Sequence, residues 1–191
     1  MSLITSLSFV STHDVTSFGA KGDSLADDAP AIQRAIDAAS AAKGGIVVFP
    51  PGTYRLGASL TISEQVILAG TAWHTPDWGG AIRNGSWLYV VSADFPPIVI
   101  QPNGRGTVMR DMAIQHAQSE PFSNWEPRDY PFAINIQADD VLLHNIFLLN
   151  PTRGIAVENP SGTIGRVTLD RIWGQPLLEG IRINNAFDVV K

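Results

Sequence analysis

Two stretches gather the side chain types that handle sugars. Residues 116–131, "HAQSEPFSNWEPRDYP", place Glu120, Glu126 and Asp129 among Trp125, Arg128 and Tyr130. Residues 71–87, "TAWHTPDWGGAIRNGSW", hold Trp73, His74, Asp77, Trp78 and Trp87. An aromatic ring covers the apolar face of a pyranose, and carboxylates accept hydrogen bonds from its hydroxyls. Glu126, Asp129 and Glu120 are therefore the candidate catalytic acids, and Trp73, Trp78, Trp125, Arg128 and Tyr130 the candidate substrate contacts. Cleavage of a glycosidic bond needs two carboxyls facing each other across roughly 5–9.5 Å, a distance that spacing along the chain does not fix. The competing expectation is packing, with the rings anchoring loops on the body of the protein and the charges left in water.

Other groupings carry less chemistry. "SFGAKGDSLADDAPAIQRAIDAASAAKGG" (17–45) has glycines, a lysine and paired aspartates ahead of a helix. A phosphate cradle needs G-x-x-x-x-G-K-[ST] running straight into its helix; here no Ser or Thr follows the lysine and several residues intervene. Asp27 and Asp28 read instead as N-cap and dipole partners of the helix. Asp139–Asp140 reads as a turn. His144 sits between Leu143 and Asn145 on a strand, pointing outward or making one hydrogen bond. Four scattered histidines and no cysteine argue against zinc, and no loop supplies six oxygens for calcium. No metal or cofactor is expected.

Bulk composition narrows the class. A net charge of −5 argues against a nucleic-acid partner. No apolar run approaches the roughly 18 residues of a membrane span, and "MSLITSLSFVSTHDV" lacks the basic start and apolar core of a signal peptide. With 191 residues, 45% of them hydrophobic and 16% charged, one folded domain is expected. Residues 1–16 read as an extension and 17–191 as the body.

The elements that must position any site come from periodicity. Ile32, Ala35, Ile36 and Ala39 fall on one face of a helix spanning about 29–43, with Pro30 in its first turn and Gly44–Gly45 ending it. After it come short β-rich runs broken by Gly and Pro. "TVMRDMAI" (107–114), "VLLHNIFL" (141–148) and "VTLDRIWG" (167–174) align, matching Met109, Leu143 and Leu169 and then Met112, Ile146 and Ile172. "AINI" (133–136), "GIAVEN" (154–159) and "GIRINN" (180–185) form a second family with the same later step. Asn159 and Asn185, one step apart, suit either a stacked corner or a simple turn. Short repeats of strands without helices predict an all-β solenoid whose inward side chains stack into one column, with the amphipathic helix as its N-terminal plug. A β-sandwich is the alternative, supported by "NG" at 84–85 and 103–104.

"DVTSFGAKGDSLADDAPAIQRAIDAA", then "GGIVVFPPGTYRL", then "VILAG" resembles the start of the pectate-lyase-like, rhamnogalacturonase/epimerase-type right-handed parallel β-helix proteins. The resemblance rests on Phe18–Asp23, Asp27–Asp28, Ala31, Ile32, Ala35, Ile36, Phe49–Tyr54 and Gly70. It implies a right-handed parallel β-helix with an N-terminal capping α-helix. It also implies a polysaccharide partner, since the family includes secreted hydrolases and lyases and the trimeric tailspikes of bacteriophages, with sites on the side wall. The polygalacturonase elements "NTD" and "GHG" are missing, and Arg182–Asn184 reads "RIN" where "RIK" would stand. The expectation is a tailspike-like polysaccharide depolymerase, on a virion or extracellular. It would be a homotrimer, or continue in further chain at its C-terminal end. The alternatives are a bacterial hydrolase, lyase or epimerase, and a non-catalytic structural module.

Overall fold

The computed structural model describes residues 10–74, 84–118 and 126–191. Its strands are β1 (Ser11–Asp14), β2 (Asp23–Asp27), β3 (Gly45–Val48), β4 (Gly52–Leu56), β5 (Leu60–Ile62), β6 (Ile67–Ala69), β7 (Ser86–Val90), β8 (Ile98–Ile100), β9 (Val108–His116), β10 (Phe132–Ile136), β11 (Leu142–Leu149), β12 (Arg153–Val157), β13 (Thr168–Gly174) and β14 (Glu179–Ile183). A 3-10 turn, Val15–Phe18, follows β1, and helix α1, Ala29–Ala41, follows β2.

Every pairing between these strands is parallel. That excludes the β-sandwich, which is built from antiparallel neighbours. One wall runs β1–β3–β6 and onto the first half of β9; a second runs β2–β4–β7 and onto the second half of β9. β11 and β13 extend both walls, and β5–β8–β10–β12–β14 makes the third. The chain is a right-handed parallel β-helix, the hand favoured when parallel strands are joined by a crossover.

The two repeat families hold their expected registers. Met109 pairs with Leu143 and Leu143 with Leu169; Met112 pairs with Ile146 and Ile146 with Ile172. On the third wall Ile134, Ile155 and Ile181 form one row. Met112, Ile146, Ile134 and Ile155 are at most 1% exposed. Each such aliphatic side chain contributes roughly 1.5–3 kcal/mol by leaving water, so the column holds successive windings together.

Helix α1 lies over the first winding. Its buried face is Ala29, Ala31, Ile32, Ala35, Ile36 and Ala39. Gln33 also closes the free strand edge there: its Nε2 donates to Thr61 O and its Oε1 accepts from Thr61 N, both at 2.9 Å. The helix stops two residues before the expected end, where Lys43 and Gly44 turn left-handed at φ 58° and 116°. β1 pairs with β3, so the first wall begins inside the segment expected to be an extension. Its sequence, STHD, has too little apolar alternation to announce a strand.

The paired aspartates divide their work. Asp27 Oδ1 accepts from Ala29 N and from Gly57 N, capping the helix and tying it to β4. Asp28, at the N-cap position, makes no side-chain cap bond. It is 1% exposed and accepts from Lys21 N at 2.6 Å and Gly22 N at 3.0 Å. The "GAKGD" amides thus cradle an anion that the chain itself supplies.

At another corner Asp139–Asp140 is a turn, as expected, with Asp140 at φ 60°. Its carboxylates meet Arg105 and Arg166, and Arg166 reaches Asp188. At the far end of the coil the inward row is uncovered: Ile181 and Ile183 are 47% exposed and Phe187 80%. Among the described residues no helix is long and apolar enough to cross a membrane.

Candidate functional site

Each repeat strand interrupts its apolar run at the same place. The pairs are Arg110–Asp111 in β9, His144–Asn145 in β11 and Asp170–Arg171 in β13. Arg110, His144 and Asp170 stand in register. The next residue in each strand is skipped by the ladder and is left-handed: Asp111 at φ 59°, Asn145 at 53°, Arg171 at 53°. This kink turns one strand from the first wall into the second. Short polar side chains tolerate it best, and Asn145 Nδ2 donates to Asp111 Oδ1 at 2.9 Å. The preceding winding has Gly70 here, and a Cβ on Gly70 would stand 2.2 Å from Asp111 O.

These groups form a small electrostatic network. Partial burial pushes the Asp111 carboxyl up, but the hydrogen bond from Asn145, and then the bond and charge of Arg110 at 2.7 Å, hold it below the usual carboxylate range. Asp111 is therefore ionised at neutral pH. His144 Nδ1 lies 2.7 Å from Asp170 Oδ2. With the proton on Nδ1, Asp170 orients the ring and Nε2 is left as a bare base. Arg171 is exposed and has no ion pair among the described residues. A free guanidinium binds carboxylate or sulfate through two parallel hydrogen bonds.

Beside the kinks runs an aromatic strip on the outer face of the second wall. Trp87, Ala113, Phe147 and Trp173 occupy one row across successive windings. Trp87 is edge-on to Phe147, and Trp73 stacks on Phe147 at 4.8 Å and 14°. Trp73 is also fixed by its Nε1, which donates to Asn145 O at 2.8 Å. Trp173 continues the row and is 59% exposed. The strip, the His144–Asp170 pair and Arg171 together can stack a sugar ring, move a proton and hold an anionic group.

Of the residues singled out in the sequence, Trp73 joins this strip. Tyr130 does not reach the surface: it is fully buried, and its hydroxyl donates to Ala117 O at 2.6 Å. Arg128 covers the Tyr130 ring and donates from Nη1 to Val91 O. Both anchor the loop, the packing alternative weighed for them. Asp129 pairs with Arg153. Glu126 is exposed. Trp78, Trp125 and Glu120 lie outside the described residues. Asn159 forms a simple turn, its Oδ1 accepting from Ser161 N. The residues that sequence reasoning passed over are Asp111, Asp170, Arg171 and Trp173. Their signal was present: the aligned repeats carry "RD", "HN" and "DR" at one position and Ala, Phe and Trp two residues after the second of these.

His116 lies beneath Tyr130, its ring edge-on at 4.6 Å. It is 1% exposed and neither ring nitrogen has a partner among the described residues. Burial pushes its pKa down to about 4, against about 6.5 in the unfolded chain. The unfolded state therefore binds the extra proton, and stability falls as pH drops from about 6.5 to about 4, by roughly 3 kcal/mol in all. Urea unfolding over that range should show the slope in the native protein and its loss in His116→Leu. A parallel slope in both would refute this assignment. The carboxylates held low, such as Asp111, add their own loss only in more acid solution.

Comparison with known proteins agrees with this architecture. The model of the family "Rhamnogalacturonase A/epimerase, pectate lyase-like" matches residues 12–173. Mannuronan C5-epimerase AlgE6 of Azotobacter vinelandii is 51% identical over 65 residues, which is 30% of this chain and 7% of that protein. In fold, the chain is similar to tailspike gp49 of the Acinetobacter baumannii bacteriophage Fri1, a capsular polysaccharide depolymerase, with TM-score 0.57 and 12% identity over 91% of this chain and 38% of that one. It is also similar to the A-module of the Azotobacter vinelandii epimerase AlgE4, with TM-score 0.50 and 18% identity over 93% and 53%. The chain thus spans only a fraction of these relatives' length. With the family match covering most of its coils, this chain belongs to the rhamnogalacturonase A/epimerase, pectate lyase-like family.

Proposed function

We propose that the protein recognises and degrades an acidic surface or extracellular polysaccharide, in the manner of a tailspike depolymerase, by laying it along the outer wall at Trp173. The observation that carries this is the aromatic strip ending in an exposed Trp173 beside the unpaired guanidinium of Arg171. The ring offers a stacking platform and Arg171 a contact for carboxylate or sulfate. The His144–Asp170 pair supplies an acid–base group on the same wall, and Asp111 a carboxylate two windings away on β9. Glu126 is exposed and remains a candidate acid. This reading puts the protein on a virion or outside the cell, as a homotrimer, which light scattering checks directly.

A second reading is chemistry at a uronic acid without hydrolysis. A base removes the proton α to the sugar carboxylate; return of a proton to the opposite face then gives epimerisation, and departure of the 4-O substituent gives elimination. The His144–Asp170 pair and the 65-residue match to a mannuronan C5-epimerase favour it. Both readings share one test. Trp173→Ala should weaken binding of acidic oligosaccharides by about 2 kcal/mol, roughly thirtyfold in Kd, as measured by calorimetry against a panel of uronate and sulfated glycans. Unchanged affinity across the panel would remove the wall from the binding surface. The products then separate the readings: new reducing ends alone for hydrolysis, new reducing ends together with an unsaturated end absorbing in the ultraviolet for elimination, neither for epimerisation.

A further inference from the structure

The third wall carries a second polar line. The residues that follow its five strands are Ser63, Gln101, Gln137, Glu158 and Asn184. Backbone bonds of 2.8–3.0 Å run from Gln101 N to Ile62 O, Gln137 N to Ile100 O, Glu158 N to Ile136 O and Asn184 N to Val157 O, which keeps successive members in step. The residue before each one, from Ile62 to Val157, is a fully buried Ile or Val, so by strand alternation these side chains face outward. At a strand spacing of ~4.8 Å the line is ~19 Å long over its four steps. Ser63 Oγ donates to Gln101 Oε1, and Asn184 Nδ2 to Glu158 Oε2. At its end the line opens into a cleft of about 280 Å³ whose lining includes Asn135, Gln137, Glu158, Asn159, Asn184 and Asn185.

One atom in this cleft is out of balance. Asn135 Oδ1 is buried and accepts no hydrogen bond among the described residues, an arrangement that costs free energy until the half-buried side chain turns toward a donor. We infer that the line is a docking ladder for an uncharged, hydroxyl-rich glycan, one of whose hydroxyls donates to Asn135 Oδ1 once the amide turns into the cleft. Amides and hydroxyls both give and accept hydrogen bonds, which suits sugar hydroxyls. Glu158 is the single charged member, and it can only accept. The cation nearby, Arg182, is held by Glu179 through two bonds of 2.9 and 2.6 Å and lies over the Phe132 ring. It is not free for an anion. The ladder therefore selects against the acidic chains that Arg171 would attract, and a glycan lying along the axis meets a new polar side chain at every winding. The proposed polysaccharide function supplies the class of ligand here, while the site itself rests on the third wall alone.

The test is a titration of the ¹⁵N-labelled protein with maltohexaose, cellohexaose and mannohexaose, following the side-chain amide signals. The expected result is that at least one hexasaccharide shifts Asn135, Gln137 and Asn184. Asn135→Val and Asn184→Ala should each weaken that binding at least tenfold, while Trp173→Ala changes it less than twofold. Asn184 is exposed, so its variant keeps the test valid even if Asn135→Val folds poorly. If none of the three probes moves these signals, or if Asn184→Ala binds like the native protein, the ladder is refuted. Failure of the proposed function shows separately, as oligouronate binding that ignores Trp173→Ala.

Discussion

If the proposed function holds, His144→Ala should lower turnover of an acidic polysaccharide by about 10²–10⁴-fold, the range over which a positioned acid–base group acts. The same change leaves folding nearly untouched, within about 0.5 kcal/mol, because His144 stands on the outer wall and not in the core. Its one hydrogen bond among the described residues is to Asp170, 2.7 Å away. Asp170→Asn keeps the shape and removes the charge that fixes the Nδ1 tautomer, so it should cost less than the alanine change. Affinity for substrate should stay within a few fold in both variants, since Trp173 and Arg171 are intact. If both variants turn over substrate like the native protein, the proton-transfer role belongs to another group. In that case Glu126 becomes the first to examine.

Gly70→Val should cost more than about 4 kcal/mol, among the largest effects a single residue has. A Cβ at Gly70 meets Asp111 O at 2.2 Å, Asp111 C at 3.0 Å and Met112 Cβ at 3.0 Å. Two of these contacts are backbone, so no side chain can swing aside. Relief requires moving β9 at its kink, which also displaces Asp111 from Asn145 and Arg110. Gly162→Ala is the control: nothing lies within 4 Å of its Cβ position, and the change should be neutral to within about 0.5 kcal/mol. Urea unfolding of the two variants measures both. Equal midpoints would mean that successive windings do not approach as closely as the kink requires.

Much of this architecture was legible because it depends on local period. The matched rows Met112–Ile146–Ile172 and Ile134–Ile155–Ile181 are apolar repeats that share a last step of 26 residues, and a solenoid turns such a step directly into a stacked row. The capping helix was legible for the same reason, from Ile32, Ala35, Ile36 and Ala39. The site was less so. Tyr130 and Arg128 look like surface ligands in a polar loop, yet whether a ring faces in or out is set by its tertiary partner, here His116 and the Ala117 carbonyl. Asp28 reads as a helix cap, yet its carboxylate serves the Lys21 and Gly22 amides across a loop. Trp173 and Arg171 were visible only as positions within an aligned repeat. Their role emerges when β13 lies beside β11, which places Trp173 in line with Phe147 and Arg171 at the kink.

The stacked walls matter for function because they bring residues about thirty positions apart in sequence onto one outer face. The most direct measurement is a crystal structure of the protein with a hexameric oligouronate. The account predicts a sugar ring stacked on the Trp173 indole, with a carboxylate within hydrogen-bond distance of the Arg171 guanidinium and the His144 ring beside the same sugar. An oligouronate bound elsewhere, with Trp173 left in bulk solvent, would contradict it.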